Sequence, residues 1–253
     1  MAKTKKKRKI NIRGLLVILL VIYLIGSFLY YLINLPIKNI VINGTSLITD
    51  AEIIENAKIK DYPAIFKLNT SKMKKNIKKI DLVSDVKIKR SLFGEITINV
   101  DEARILFLNR SKNMLVLEDG RYINNNSNYY GYPILINYVP DKILKEFIEK
   151  FGEIDDNILS LIGEIEYSVE KFTDPLTGEE IISNDKRFLL RMNDTNSVYV
   201  DTINLQKLNN YHSYFATTAD NVRGIFYLDS NRGAVSFKSY AEIKEESEPI
   251  DES

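Results

Sequence analysis

The chain of 253 residues has no cysteine, no tryptophan and a single histidine, His212. Without thiols there are no disulfides, no thiolate catalysis and no cysteine-ligated zinc, iron–sulfur or c-type haem centre. One imidazole excludes every site that needs two in one chain, the H-E-x-x-H zinc proteases among them. P-loop, G-x-G-x-x-G and EF-hand patterns are also missing, so no cofactor and no metal is expected. Net charge is scarce too, at +1. That balance hides an asymmetry. Residues 1–13 carry seven basic side chains and no acid, whereas residues 241–253 carry six acids and one lysine. The near-neutral body between them lacks the basic face with which a nucleic-acid-binding domain displaces counterions. What is present is 45% hydrophobic and 27% charged residues, enough to fold, in a length that fits an anchor and one or two domains of ~100–150 residues.

The longest apolar run is GLLVILLVIYLIGSFLYYLINL, residues 14–35, with no charge between Arg13 and Lys38. At ~1.5 Å per residue it matches the hydrocarbon thickness of a bilayer. It is apolar all round, unlike a soluble core helix, and Tyr30 and Tyr31 suit the headgroup zone at its far end. A cleaved signal peptide has a shorter run and a small-x-small site; neither is found here. The preceding Lys5, Lys6, Lys7, Arg8, Lys9 and Arg13 read as the positive-inside determinant rather than as a nuclear-localisation or RNA-binding patch. The expectation is a cytoplasmic tail over 1–13, a transmembrane helix over 14–35 and an extracytoplasmic body.

The fold class expected for that body is α+β. Ile37 to Ile42 is a β-branched run stopped by Asn43-Gly44. Thr49-Asp50-Ala51-Glu52 is a capping box opening a helix to about Lys58. A second helix, capped by Thr70 or Ser71, places Met73, Ile77 and Ile80 on one face. Val86 to Lys89 and Ile96 to Val100 alternate around Phe93-Gly94 and form a hairpin with one buried face. The result is a small β-α-α-β-β domain over 36–105. A larger, mixed β-rich domain with helices follows over 106–240. Helical faces are read at 143–151, at Ile158, Leu159, Leu161, Ile162 and Ile165, and at Leu205, Leu208, Tyr211 and Phe215. A polar loop lies at 124–128 and a closing hairpin at 224–238, with its turn at 229–233. Residues 241–253 are read as an acidic disordered tail.

Catalytic patterns are weak. S-x-x-K occurs at Ser71-Lys74, Ser84-Lys87, Ser168-Lys171 and Ser183-Lys186, but a penicillin-binding site also needs a K-T-G box, and the chain offers only Leu176-Thr177-Gly178. These lysines read as solvated residues near turns. His212 beside Ser213 has no G-x-S-x-G elbow and reads as a boundary residue on a helix. A pair of carboxylates for glycan cleavage cannot be recognised from spacing, so a membrane-anchored cell-wall enzyme of that kind stands as the alternative function.

The organisation resembles the FtsQ/DivIB cell-division family. The carriers are Ile37-Lys38-Asn39-Ile40 leading to Asn43-Gly44, Val83-x-x-Val86-Lys87-Ile88-Lys89-Arg90, and Ile96-x-Ile98-x-Val100-x-Glu102. Phe93-Gly94 stands where the family often has proline, and Ala103 separates Glu102 from Arg104. The resemblance implies an FtsQ-type POTRA domain in a non-enzymatic bitopic scaffold at the division septum. Its implied partners are FtsB/DivIC-like and FtsL-like proteins, with an indirect link to a FtsW–FtsI-type septal synthase. The terminal strand Ala234-Val235-Ser236-Phe237 is uncharged until Lys238 and lacks the usual guards of a sheet edge. Phe226, Tyr227, Val235, Phe237 and Tyr240 are the candidate partner-binding residues, since aromatic area is enriched in binding hot spots and the resemblance places partner binding near this end.

Overall fold

The computed structural model describes residues 12–125, 129–218, 222–230 and 234–247. The basic tail through Lys9, most of the loop at 124–128, part of the turn at 229–233 and residues 248–253 lie outside the described residues. The chain divides into two compact units, Met1–Glu102 and Ala103–Ser253.

The first unit opens with helix α1, Ile12–Ile33, long and apolar enough to cross a membrane and without a buried residue in its most apolar stretch. The helix ends two residues before the expected boundary. Leu35 is buried instead, because its carbonyl accepts from the Ile65 amide at 2.8 Å. Strand β1 (Asn39–Asn43), helices α2 (Asp50–Ala57) and α3 (Thr70–Ile77), and strands β2 (Val83–Arg90) and β3 (Glu95–Glu102) follow. The sheet order is β1-β3-β2, parallel between β1 and β3 and antiparallel between β2 and β3. Alternation in β3 buries Ile96, Ile98 and Val100, while the helices bury Ile53, Ala57, Met73 and Ile77. The Thr49 hydroxyl accepts from the Glu52 amide at 3.3 Å, the first half of the capping box expected at α2. Helix α3 is capped by Asn69, one residue before the expected caps, through the Lys72 amide at 3.0 Å. Glu102 accepts from the Ser46 and Leu47 amides at 2.6 and 2.9 Å and so ties down the loop after β1. Lys78 and Lys74 reach Asp85 at 2.8 and 2.9 Å and hold its carboxyl well below the usual carboxylate range.

In the second unit, β4 (Ile105–Asn109), β5 (Met114–Leu117), β6 (Tyr122–Asn124) and β7 (Ile134–Leu135) lead to helix α4 (Asp141–Phe151) and the short α5 (Asp156–Leu159). Then come β8 (Ile162–Tyr167), β9 (Glu170–Thr173), β10 (Glu180–Asn184), β11 (Arg187–Met192) and β12 (Ser197–Asp201). The chain closes through a 3-10 segment at Leu205–Asn210, α6 (Tyr211–Ala216), β13 (Gly224–Tyr227), β14 (Ser236–Ser239) and α7 (Tyr240–Ser247). Among the described residues, β14-β13-β12-β11-β8-β7-β4-β5-β6 form one sheet, and β9 and β10 a separate hairpin. Helix α4 packs Phe147 against Phe188 at 4.1 Å and Phe107 at 6.0 Å between ring centroids. Each fully buried phenylalanine contributes about 1.5–3 kcal/mol of transfer free energy. Arg104 caps the far end of α4, donating to the Gly152 and Ile154 carbonyls and to Asp156.

Two expectations are corrected and one is refined. Ile162 and Ile165 lie on a strand, not a helix. Ile162 pairs with Met192 and Glu164 with Arg191, so Gly163 is the extra residue of a β-bulge, and the bulge gives a strand a spacing of three between inward side chains. The helix expected over Leu205, Leu208, Tyr211 and Phe215 is present in two forms, 3-10 where Leu205 and Leu208 are buried three apart and α-helical from Tyr211. The acidic tail is helical through Ser247: the Ser239 and Glu242 side chains each accept from the other's backbone amide as a capping box, and Lys238 pairs with Glu246 at 2.9 Å.

Gly44 has φ +87°, and a Cβ there would lie 2.1 Å from the Val100 carbonyl oxygen. Gly44→Ala is expected to cost more than about 1 kcal/mol. Denaturant unfolding of the chain in detergent measures it, and an unchanged midpoint would contradict this geometry.

Candidate partner-binding edge

Strand β14 is an edge of the large sheet. Its register on β13 pairs Gly224 with Ser239, Ile225 with Lys238, Phe226 with Phe237 and Tyr227 with Ser236. The Tyr240 amide donates to the Arg223 carbonyl at 3.1 Å, which makes that pair a hydrogen-bonded one. Bonded and non-bonded pairs alternate along an antiparallel ladder. Lys238 and Ser236 therefore spend their main-chain groups on β13, whereas those of Val235, Phe237 and Ser239 point away from the sheet. The Ser239 amide is taken by Glu242 at 2.7 Å. Phe237 is left as the strand's outward main-chain position, and Val235 immediately precedes the strand.

A buried polar network positions this edge. Asn196 is 1% exposed. Its side-chain oxygen accepts from the Gly224 amide at 3.0 Å, and its nitrogen donates to the Tyr211 hydroxyl at 2.9 Å. Tyr211 donates to Asp194 at 2.7 Å, and burial together with that carboxylate pushes its hydroxyl far above the ordinary range. The start of β13 is thus bolted to the turn between β11 and β12. Gly224 is needed there, since a Cβ would come within 2.2 Å of the Lys238 carbonyl oxygen.

The expected partner-binding residues divide between the two faces. Phe226 is corrected: at 1% exposure it is core, packed on Tyr211 and 4.7 Å from Phe237. The alternation of β13 sends it inward. Val235 and Phe237 are half-buried on the same inner side. Tyr227 lies on the outer face, stacked on Tyr199 at 5.5 Å, and the Arg187 guanidinium sits 3.7 Å over the Tyr199 ring. Arg187 in turn pairs with Asp229 at 2.6 Å. Tyr240 is exposed, its hydroxyl bonded to the Ser197 hydroxyl at 3.0 Å and the Thr195 carbonyl at 3.1 Å. Sequence reasoning missed Ser236 and Lys238, whose side chains are the exposed ones on β14; only the register reveals them. Glu246 of α7 pushes the Lys238 ammonium further toward its charged form.

The other chemical candidates have structural roles. The S-x-x-K lysines are each paired: Lys74 with Asp85, Lys87 with Asp101, Lys171 with Glu180 and Lys186 with Glu146. His212 is exposed on α6, its ring 6.2 Å from that of Tyr211. Among the described residues no group of three or more His, Asp or Glu side chains is gathered to hold a metal.

Residues 35–103 match the family model of the POTRA domain, FtsQ-type. The cell division protein DivIB of Macrococcus caseolyticus is 27% identical over 157 residues, which cover 60% of this chain and 50% of that protein. The DivIB of Bacillus subtilis is 25% identical over 238 residues, 90% of this chain and 84% of that one. The chain thus spans about half the length of the first of these relatives. The solved major extracytoplasmic domain of the trans isomer of DivIB from Geobacillus stearothermophilus aligns with 48% of this chain and 98% of its own, at 20% identity and a TM-score of 0.36. The class is defined by the module at 35–103: a POTRA-bearing protein with an apolar amino-terminal helix. Within that class the chain is similar to the DivIB cell-division proteins.

Asn196→Ala leaves the Gly224 amide buried without its acceptor, a loss of about 1–3 kcal/mol. Amide exchange at 224–227 is expected to accelerate. Exchange as slow as in the parent chain would show that the network does not hold the edge.

Proposed function

We propose that the chain is a non-enzymatic, single-pass scaffold of the bacterial division machinery. It captures FtsB/DivIC-like and FtsL-like bitopic proteins through β14 and through them influences a FtsW–FtsI-type septal synthase. Similarity to DivIB proteins supports the setting. The observation that carries the binding mode is the weakly guarded outer edge of β14, with outward main-chain groups at Phe237 and, just before the strand, at Val235. A partner strand added there takes affinity from backbone bonds and specificity from side chains beside the edge. Tyr227, Tyr240, Ser236 and Lys238 supply those side chains. Phe237 contributes from the inner side, by holding the strand on Phe226.

The six basic residues before α1, together with Arg13 in its first turn, set orientation by the positive-inside rule. The amino terminus is cytoplasmic, α1 spans the membrane, and the POTRA domain and β domain lie outside it, at the septum. Protease added to intact, wall-stripped cells is expected to degrade the body. A fully protected body would overturn the orientation.

Val235→Pro removes an outward amide without removing a bond to β13. Capture of a DivIC-like partner from detergent-solubilised membranes is expected to fall about tenfold, equivalent to about 1.4 kcal/mol. Phe237→Ala is expected to weaken capture through looser seating of the strand. Both variants are first checked by circular dichroism and melting. Full capture by folded variants would exclude this edge.

A further inference from the structure

The parallel pairing of β1 with β3 determines which end of the POTRA sheet faces the membrane. Strand β1 leaves α1 through Asn34, Leu35 and Pro36, so its beginning is membrane-proximal. Asn39 pairs with Glu95 and Asn43 with Asn99 in parallel register. The beginning of β3, and the turn that precedes it, therefore lie at that same end. The contacts agree. The Lys38 and Asn39 amides donate to the Gly94 carbonyl at 2.7 and 3.4 Å. Gly94 has φ +90°, and a Cβ on it would stand 3.0 Å from the Pro36 carbonyl oxygen. The turn is seated directly against the residue at which the chain leaves the helix.

Two adjacent large apolar side chains form the tip of this turn, Leu92 at 62% and Phe93 at 83% exposure. The segment between α2 and α3 arrives at the same end. The Ile37 amide donates to the Pro63 carbonyl at 3.1 Å, and Lys67 donates to Asn34 at 2.8 Å. That segment exposes Tyr62 and Phe66. Arg90 joins the two pieces, donating to the Ile65 and Leu68 carbonyls at 3.3 and 3.2 Å. Isolated exposed apolar residues are ordinary. Here four large ones share one end, and Lys38, Lys67 and Arg90 share it with them.

We infer that this end of the POTRA domain is a bilayer-contacting surface, with Leu92 and Phe93 inserted at the boundary between headgroups and acyl chains. The inference rests on the reading of α1 as a membrane span. Its 22 residues rise ~33 Å against a hydrocarbon core of ~30 Å, so the helix end, and the turn beside it, lie at the interface. Aromatic and aliphatic side chains enter that zone while lysine and arginine stems extend their charges to the headgroups. The occupant is lipid and not a protein because the surface is continuous with the point where the span emerges. A second contact there fixes the tilt of the POTRA domain, which a single helix leaves free.

The absence of tryptophan makes the test direct, since each variant carries a single reporter. The full chain is reconstituted in phosphatidylcholine–phosphatidylglycerol nanodiscs, with or without brominated acyl chains, as Phe93→Trp, Leu92→Trp, Leu20→Trp or Leu47→Trp. Leu20 lies within α1, and Leu47 follows the far end of β1. Loss of emission in brominated lipid is expected at positions 92, 93 and 20, with a blue-shifted maximum at the tip, and not at 47. Quenching at 20 with water-like, unquenched emission at 92 and 93 would overturn the inference while leaving the span intact. No quenching at any position would overturn the span and this inference with it. Quenching at 47 as strong as at 93 would also overturn it, because the domain would then lie on the lipid without using this end.

Discussion

The parallel pairing of β1 with β3 is the constraint on which the first unit depends. A parallel neighbour cannot be reached by a tight turn, so everything between the two strands must form the crossover. Here that is α2, a 3-10 turn at Ile65–Lys67, α3 and β2. The crossover closes because Asn43-Gly44 turns the chain at the far end and Pro63 returns it to Ile37 at the near one. Both helices then cover one face, where Ile96, Ile98 and Val100 meet Ile53, Ala57, Met73 and Ile77. Glu102 closes the far end with two backbone amides that no helix or strand would otherwise satisfy.

The second unit solves a different problem. A sheet of many strands must end somewhere, and an edge is a hazard unless it is blunted or used. The guards at β14 are weak. Lys238 is the strand's cation, and Glu246 engages it at 2.9 Å, so its charge is partly answered within the chain. A surface pair of this kind contributes little to stability, about 0–1 kcal/mol. What fixes the edge is buried instead: Asn196, Asp194 and Tyr211 form a satisfied polar group beneath Gly224. Such networks stabilise one arrangement sharply, because every partial alternative strands a buried donor.

Sequence patterning made the first unit legible almost in full. β3 alternates without interruption, α2 carries its Thr49 cap, and the turns carry Asn-Gly and Phe-Gly. The second unit was legible where period and element agreed, as in α4, and obscured where local irregularity changed the period. The bulge at Gly163 made a strand look helical, and the helix read at Leu205 to Phe215 begins as 3-10 before Tyr211. The Ser239–Glu242 box was readable but overshadowed by the acidity of the tail. The candidate edge was found from its composition, yet which side chains face outward was not. That depends on the register of β14 on β13, a long-range fact that assigns Phe226 to the core and Lys238 to the surface.

Strand addition at β14, as proposed, would draw on main-chain groups first. Backbone bonds are indifferent to sequence, so specificity must come from what stands beside them. At β14 those neighbours are held from behind. Arg187 is pinned by Asp229 and covers Tyr199, and Tyr199 stacks on Tyr227, while Tyr240 is fixed through its hydroxyl to the turn that Asn196 stabilises. Side chains ordered before binding lose less entropy when a partner arrives. An edge whose flanking tyrosines are already immobilised is therefore better suited to capturing a strand than one of equal area with mobile side chains.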